Sequence, residues 1–455
     1  MNKISQGTSI PEKKDLKSNP RSIFKARADK VEYTMDQKSA LLLVDRFMMS
    51  PDNFFLLAGN AGTGKTTIAE NIVNHCNANI LAPTNAALKR LKDKFLSEKI
   101  PAKRFTTIHQ AIYGTPDPIS GEFKQRTGLS KAKVYIIDEA SMVDTPILND
   151  LIKTALKDKV KLIFIGDDFQ LEPVGKDPQL FKWENSPGYL VFKKVWKTKL
   201  NEVVRNEGVI LEIATHLRNN SGVEILNKNK PDFSLVKMFS NELLLDIQHE
   251  KDFIVIVSTN KTRMKYNQHI RQAKFEEDSK SPIVDGEKLI SVSNQRFLNG
   301  EHYTIINSRI VDEFEEIINV GSKKYPKTGK YKLFLVEHEV VGQEGTFKTL
   351  VVPNLDKPSL HPDMLMECPV FESDDRFTTN KLNIKRMWNK NVNIATYGYA
   401  TSAHKSQGNE WENVYIDANW LSDSWNKARW MYTAITRATK KVELKISNQF
   451  QIIDK

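Results

Sequence analysis

Cysteine is almost absent: of 455 residues only Cys76 and Cys368 carry a thiol, too few for a disulfide framework. Long apolar runs are missing as well, and none approaches the roughly 20 residues that a bilayer span needs. The first residues hold no apolar core of the signal-peptide kind. The few His and Cys residues show no ligand spacing, which argues against a metalloenzyme. No internal repeat is visible beyond a doubling of an α/β unit. These absences point to a reducing, cytoplasmic compartment without a membrane.

Positive charge, by contrast, is in excess. The formal net charge is +11 and the pI about 9.2, a balance that suits a polyanionic partner such as nucleic acid. Part of the excess lies in residues 1–30, polar and basic without an apolar face, which read as a mobile tail. Hydrophobic residues make up 40% of the chain and charged ones 27%, as in soluble globular proteins. The length calls for two or three domains.

From Asn53 onward short apolar runs alternate with helical stretches: "FFLLAG" then "TTIAENIVNHC", "NILAPT" then "AALKRLKDKFL", "KVYIIDEA" then "TPILNDLIKTALK", and "VKLIFIGDD". Buried strands joined by crossover helices make a parallel α/β sheet with ligands at the strands' carboxyl ends. The pattern resumes with "DFIVIVSTN" before "KTRMKYNQHIRQAKF", then "NVYIDA" and "KVELKIS". The expected organisation is a first α/β domain over 31–113 and 129–200 and a second over 201–285 and 375–455. Two insertions interrupt them. Residues 286–374 carry alternating, β-rich runs with a turn signal at Asn299 and Gly300, the pattern of a small β-barrel. Residues 114–128, "GTPDPISGEFKQRTG", suit a projecting hairpin with Phe123 near its middle.

The string "GNAGTGKTT" follows an apolar strand and opens a helix, the context a phosphate-binding loop requires. Gly59, Gly62 and Gly64 let backbone N–H groups of Thr63, Lys65, Thr66 and Thr67 approach phosphates. Lys65 neutralises the outer phosphates and the Thr66 hydroxyl can ligate Mg²⁺. "VYIIDEAS" ends a strand on Asp138, suited to hold Mg²⁺, and Glu139, suited to orient and deprotonate water. "GDDFQLEPVG" brings Asp167 and Gln170 to the same crevice, where Gln170 can contact the γ-phosphate or the water.

"GNAGTGKT", "DEAS" and "GDDFQLEPV" resemble motifs I, II and III of superfamily 1 helicases. "LNEVVRNEG" is similar to motif IV, "ATSAHKSQGNEW" to motif V and "MYTAITRAT" to motif VI; with "YTMDQ" and "TTIHQ", the set resembles the RecD/Dda type of the B branch. The likeness covers nearly the whole chain after residue 30. It implies two RecA-like parallel-sheet domains, the barrel being SH3-like, and ATP as the nucleotide, with Gln37 reading adenine. Arg205 and Arg437 would act as arginine fingers. Thr84, Asn85, Thr107, His109, Thr401, His404 and Lys405 would grip DNA, with Gln407 and Glu410 nearer the domain interface. The implied activity is 5′-to-3′ translocation on single-stranded DNA with separation of duplex, by a monomer serving phage replication or recombination. Its partners would be single strands and duplex junctions, with single-strand-binding or replisome proteins beside them. A nucleic-acid-stimulated ATPase that displaces proteins without opening duplex, and RNA as the track, stay open on the residues alone.

Overall fold

The computed structural model describes residues 32–96, 100–114, 128–129, 132–171, 195–202, 208–220, 224–291, 300–319, 328–351, 393–419, 421, 426–446 and 450–453. The basic tail, the hairpin between Gly114 and Gly128, Arg205 and Asn299 lie outside them.

The first sheet contains β1 (Phe54–Gly59), β2 (Asn79–Ala82), β3 (Phe105–Thr107), β4 (Val134–Ile137), β5 (Lys161–Gly166) and β6 (Trp196–Leu200). They run parallel in the spatial order β3-β2-β4-β5-β1-β6. The two-residue period of the strands sorts their apolar side chains onto two faces. Phe55, Leu57, Ile80, Ile136 and Ile163 pack with the helices Met35–Met49, Lys65–Cys76 and Asn85–Leu96. Phe54, Leu56, Leu81, Tyr135 and Phe164 pack with Ile108–Ile112 and Thr145–Asp158. Both faces are therefore covered, which is why β1, β2, β4 and β5 read as nearly unbroken apolar runs.

After β6 the chain forms the helix Val209–Asn220, then β7 (Glu224–Leu226), β8 (Phe233–Val236), the helix Asn241–Gln248, β9 (Phe253–Val257) and the helix Asn260–Phe275. A closed barrel follows, built from β10 (Lys288–Ser291), β11 (His302–Asn319), β12 (Thr328–Val340), β13 (Gln343–Val351) and β14 (Asn393–Tyr397). The chain then returns as β15 (Ala400–Ser402), the short helix Ala403–Ser406, β16 (Trp411–Asp417), the helix Lys427–Ile435, β17 (Ala438–Lys445) and β18 (Gln451–Ile453). The second parallel sheet has the order β15-β9-β16-β17-β8, and β18 pairs with β7 beside it.

The barrel's last strand corrects the boundary expected at 374, since β14 pairs with both β10 and β13. In sequence "NIATYGYATS" looks like one strand. Gly398 divides it: a Cβ there would stand 3.0 Å from the carbonyl carbon of Leu289, tighter than an ordinary contact, so glycine eases the chain's passage past β10 as it changes sheets. Beyond the turn, the buried Asn267 carboxamide accepts the N–H groups of Tyr399 and Ala400 at 3.0 and 2.8 Å. Leu289, Tyr303, Val336 and Tyr397 of the barrel share one core with Val255 and Val257 of β9.

A buried ion pair fixes the barrel's entry. Arg271 Nε donates to Glu287 Oε2 at 2.8 Å, and its other nitrogens donate to the carbonyls of Ser279 (3.0 Å) and Ser281 (2.8 Å). Burial pushes Glu287 up to about 7, against the pull of Arg271. Because the folded value exceeds the ordinary 4.5, the folded chain binds more protons in this window and stability falls as pH rises through it. Arg271→Ala is expected to cost about 3–5 kcal/mol in urea unfolding at pH 8 by leaving the carboxylate uncompensated. The loss should shrink at pH 6, where protonating Glu287 is easier; a loss independent of pH would contradict the account.

Candidate nucleotide site and interdomain cleft

β1 delivers Gly59 at its carboxyl end and the helix Lys65–Cys76 starts after Gly64. Gly62 and Gly64 have φ of +76° and +78°, the left-handed region that favours glycine. A Cβ on Gly64 would also overlap Gln37 Nε2. Gln37 is buried and its amide is spanned at both ends, Nε2 donating to Thr63 O and Oε1 accepting Thr34 N–H, each at 3.1 Å. Thr63 Oγ1 donates to Asn60 O at 2.9 Å. Lys65 Nζ donates to the carbonyls of Gly59 (2.9 Å) and Asn60 (2.7 Å). Burial holds its pKa below the ordinary lysine value, opposed by Asp167, Glu139 and Asp138. Thr66 and Thr67 are half-buried in the helix's first turn.

β4 ends on Asp138 and Glu139, both buried. Glu139 adopts φ +48°, ψ +42°, a left-handed conformation that costs a non-glycine residue about 1–3 kcal/mol and is typical of functional sites. Burial first, and the neighbouring Glu139 second, push Asp138 up to about 6. Its Oδ2 is buried without a hydrogen-bond partner. Arg90, on the helix Asn85–Leu96, places Nη2 2.9 Å from Glu139 Oε1 and 3.9 Å from Asp138 Oδ2.

β5 ends on Asp167, which has no exposed surface. Phe169 N–H donates to its Oδ1 at 3.0 Å, but its side-chain hydrogen-bond partners belong to the second domain. Arg218 Nη1 donates to Oδ1 at 2.6 Å, and Tyr432 donates its hydroxyl proton to Oδ2 at 2.5 Å. The same Tyr432 oxygen accepts the N–H of Ala61, in the phosphate loop, at 3.0 Å. Arg218 also pairs with Asp168, and its guanidinium lies 5.6 Å from the ring of Phe169. Farther along the loop Arg429 donates to Gln170 O (3.2 Å), Gln407 to Leu171 O (2.9 Å), and Leu171 N–H to Thr433 Oγ1 (2.9 Å). The Gln170 side-chain oxygen is buried without a partner.

Arg437 is buried, donating to Thr433 O, Asn409 O and Thr436 Oγ1. Burial lowers its pKa against the opposing charge of Glu139. The structure thus brings Lys65, Asp138, Glu139, Asp167 and Arg437 into one electrostatic neighbourhood.

The candidate strand-gripping residues lie elsewhere. Thr84 follows β2 and Thr107 ends β3, the two strands at one margin of the first sheet, while Thr401 lies on β15, the margin strand of the second. The Thr84 hydroxyl accepts Ala87 N–H at 3.2 Å, and Thr107, buried, forms a capping box with Gln110. Both hydroxyls have helix-capping work of their own. Asn85, His109, His404 and Lys405 are half-buried; His109 packs on Tyr113, and burial lowers the pKa of His404. Thr401 Oγ1 is buried without a partner.

Arg90, Arg218 and Tyr432 were not singled out by sequence. Arg218 and Arg90 lie among ordinary helical charges, and only Tyr432, inside "MYTAITRAT", carried a signal.

A family model described as an AAA domain matches residues 32–231, and one described as a UvrD-like helicase C-terminal domain matches 397–444. The ATP-dependent DNA helicase dda of Enterobacteria phage T4 is 29% identical over 320 residues, covering 62% of this chain and 69% of that protein. The RecBCD enzyme subunit RecD of Buchnera aphidicola subsp. Schizaphis graminum is 22% identical over 441 residues, 86% of this chain and 70% of that one. In fold, the chain is similar to the Pif1 helicase from Bacteroides solved with ADP-AlF3 and ssDNA, with a TM-score of 0.50 and 17% identity over 93% of this chain and 95% of that one. A phosphate loop under one parallel sheet, touched by side chains of a second, defines a two-domain nucleotide-driven enzyme. In these matches the chain is similar to superfamily 1 helicases of the Dda, RecD and Pif1 type.

Tyr432→Phe keeps the ring against Phe169, 5.3 Å away, but strands the Ala61 N–H and one Asp167 oxygen. A buried group left without its partner costs about 1–3 kcal/mol. The phosphate-loop peptide is expected to exchange its amide hydrogens faster in this variant, measured by mass spectrometry; unchanged exchange would mean that the hydroxyl ties nothing across the cleft.

Proposed function

We propose that this enzyme is an ATP-dependent DNA helicase that moves 5′ to 3′ along single-stranded DNA and separates duplex. The observation that carries this function is the Ala61–Tyr432–Asp167–Arg218 network, which makes the phosphate loop a shared part of both domains. Anything bound there acts on the angle between the two sheets. In this scheme Gln37 contacts adenine, the loop amides from Gly62 to Thr67 and the Lys65 ammonium receive the phosphates, and Arg437, with Arg205, faces the charge that develops on the transferred phosphoryl group.

Hard oxygen donors and a buried Asp138 Oδ2 that makes no hydrogen bond suit Mg²⁺, so Thr66 and Asp138 are assigned to hold it. When bound, the ion supplies charge neutralisation at the phosphates. In this scheme Glu139 takes the proton of the attacking water and Gln170, whose carboxamide oxygen is buried without a hydrogen-bond partner, orients that water. Thr84, Asn85, Thr107 and His109 of one domain and Thr401, His404 and Lys405 of the other hold the strand alternately as the cleft closes and opens. Opening one base pair asks about 1.4 kcal/mol per step on average. On chain position alone, 114–128 is assigned the duplex-splitting role. Single strands and forks are the proposed substrates of a monomer, with replisome or single-strand-binding proteins as partners.

Strand displacement on 5′-tailed and 3′-tailed duplexes tests the function directly. ATP-driven opening of the 5′-tailed substrate alone is expected; ATP hydrolysis without displacement of either would leave a protein-displacing ATPase instead. Within the site, Glu139→Gln is expected to bind nucleotide normally and turn over at least about a hundredfold more slowly, the scale of a lost general base. Wild-type turnover in that variant would remove Glu139 from its role.

A further inference from the structure

The helix Asn85–Leu96 touches four parts of the molecule within its first two turns. Its N-terminal end is the proposed strand grip at Thr84 and Asn85, where the Thr84 hydroxyl accepts Ala87 N–H. Ala87 backs against Gly408 of the second domain so closely that a Cβ on that glycine would lie 3.2 Å from the alanine Cβ and 3.3 Å from its backbone. Lys89 pairs with Glu301 of the barrel at 2.5 Å. Arg90 then places one guanidinium between two carboxylates of opposite domains: Nη2 is 2.9 Å from Glu139 Oε1, and Nη1 is 3.6 Å from Glu410 Oε1.

Those two carboxylates are not equivalent. Glu139 is buried and held in a left-handed conformation, whereas the Glu410 side chain is about a third exposed and stands only three residues beyond Gln407, which bonds the first domain's Leu171. The short, charge-assisted bond goes to Glu139. An oxygen that accepts a guanidinium N–H is engaged there and cannot use the same lone pair to take a proton from water. A small shift of the helix would lengthen one Arg90 contact and shorten the other, because both nitrogens belong to one rigid plane.

We infer that Arg90 is a positioning residue that couples the strand grip to hydrolysis by dividing its guanidinium between Glu139 and Glu410. With the grip empty it holds Glu139 back; a strand seated at Thr84 and Asn85 moves the helix, Arg90 turns to Glu410, and Glu139 is released to the water. The coupling rests on the helicase function proposed above.

Steady-state ATP hydrolysis, with and without saturating oligo-dT, tests it in the full chain, with binding of a fluorescent ATP analogue as the check on folding. Wild type is expected to be stimulated by oligo-dT; if it is not, the helicase function fails before the question of Arg90 arises. Arg90→Gln should raise kcat without DNA by at least about fivefold, the low end of allosteric coupling, while changing KM for ATP little. DNA stimulation should shrink correspondingly. Glu410→Gln, which removes the alternative partner, should lower the DNA-stimulated kcat instead, and Arg90→Lys should fall between wild type and Arg90→Gln. Loss of activity by one factor with and without DNA in Arg90→Gln, or wild-type stimulation in Glu410→Gln, overturns the proposal while leaving the helicase function standing.

Discussion

Asp167 has no exposed surface, and a carboxylate taken that far from water is tolerable only where cations and donors replace its hydration. Burial pushes its pKa up, but Lys65 and Arg218, with the Tyr432 hydroxyl, outweigh burial and hold it below the ordinary aspartate value. The group is thus ionised, and its charge must be matched wherever the domains move. Lys65 opens the helix Lys65–Cys76 of the first domain; Arg218 and Tyr432 come from the helices Val209–Asn220 and Lys427–Ile435 of the second domain. The first sheet cannot complete the surroundings of its own carboxylate. That dependence makes contact between the domains a condition of the site rather than an accident of packing.

The parts of this arrangement that sequence disclosed are those written locally. The inner strands β1, β4, β5 and β9 are nearly continuous apolar runs because both faces are covered, and the phosphate loop and Asp138–Glu139 follow such runs directly. Gln37 was legible only by resemblance; the structure gives its amide a place between Thr34 and Thr63. The long-range pairs were illegible. Tyr432 meets Ala61 across 371 positions of chain and Arg218 meets Asp167 across 51, and nothing in a helical charge pattern says which arginine turns inward. The barrel's closure by β14 was hidden for a different reason, because one glycine at 398 ends a strand in one sheet and lets the next begin in another.

The barrel is bound to the second domain as a single body. They share a core, and the Arg271–Glu287 pair fastens its first strand to the helix Asn260–Phe275. Toward the first domain it presents Glu301 to Lys89, a partly exposed pair of the kind worth at most about 1 kcal/mol. An apolar shared core on one side and a surface ion pair on the other make the barrel's attachment to the second domain the stronger of the two.

The contacts across the cleft explain why "ATSAHKSQGNEW" is so polar. Gln407, Gly408 and Glu410 meet Leu171, Ala87 and Arg90, while Arg429, Tyr432 and Thr433 meet Gln170, Ala61 with Asp167, and Leu171. Three of these contacts join second-domain side chains to the backbone of Gln170 and Leu171, which fixes a position without consuming first-domain side chains. The side-chain acceptors they leave alone, Gln170 Oε1 and Asp138 Oδ2, are buried without a hydrogen bond, Arg90 standing 3.9 Å from the latter. Buried polar atoms are almost always satisfied, so two such acceptors at the ends of neighbouring strands mark where a ligand's own groups belong. Holding the seam through main chain keeps those acceptors available, and the same contacts that join the domains therefore leave the chemistry of the cleft free to respond to what enters it.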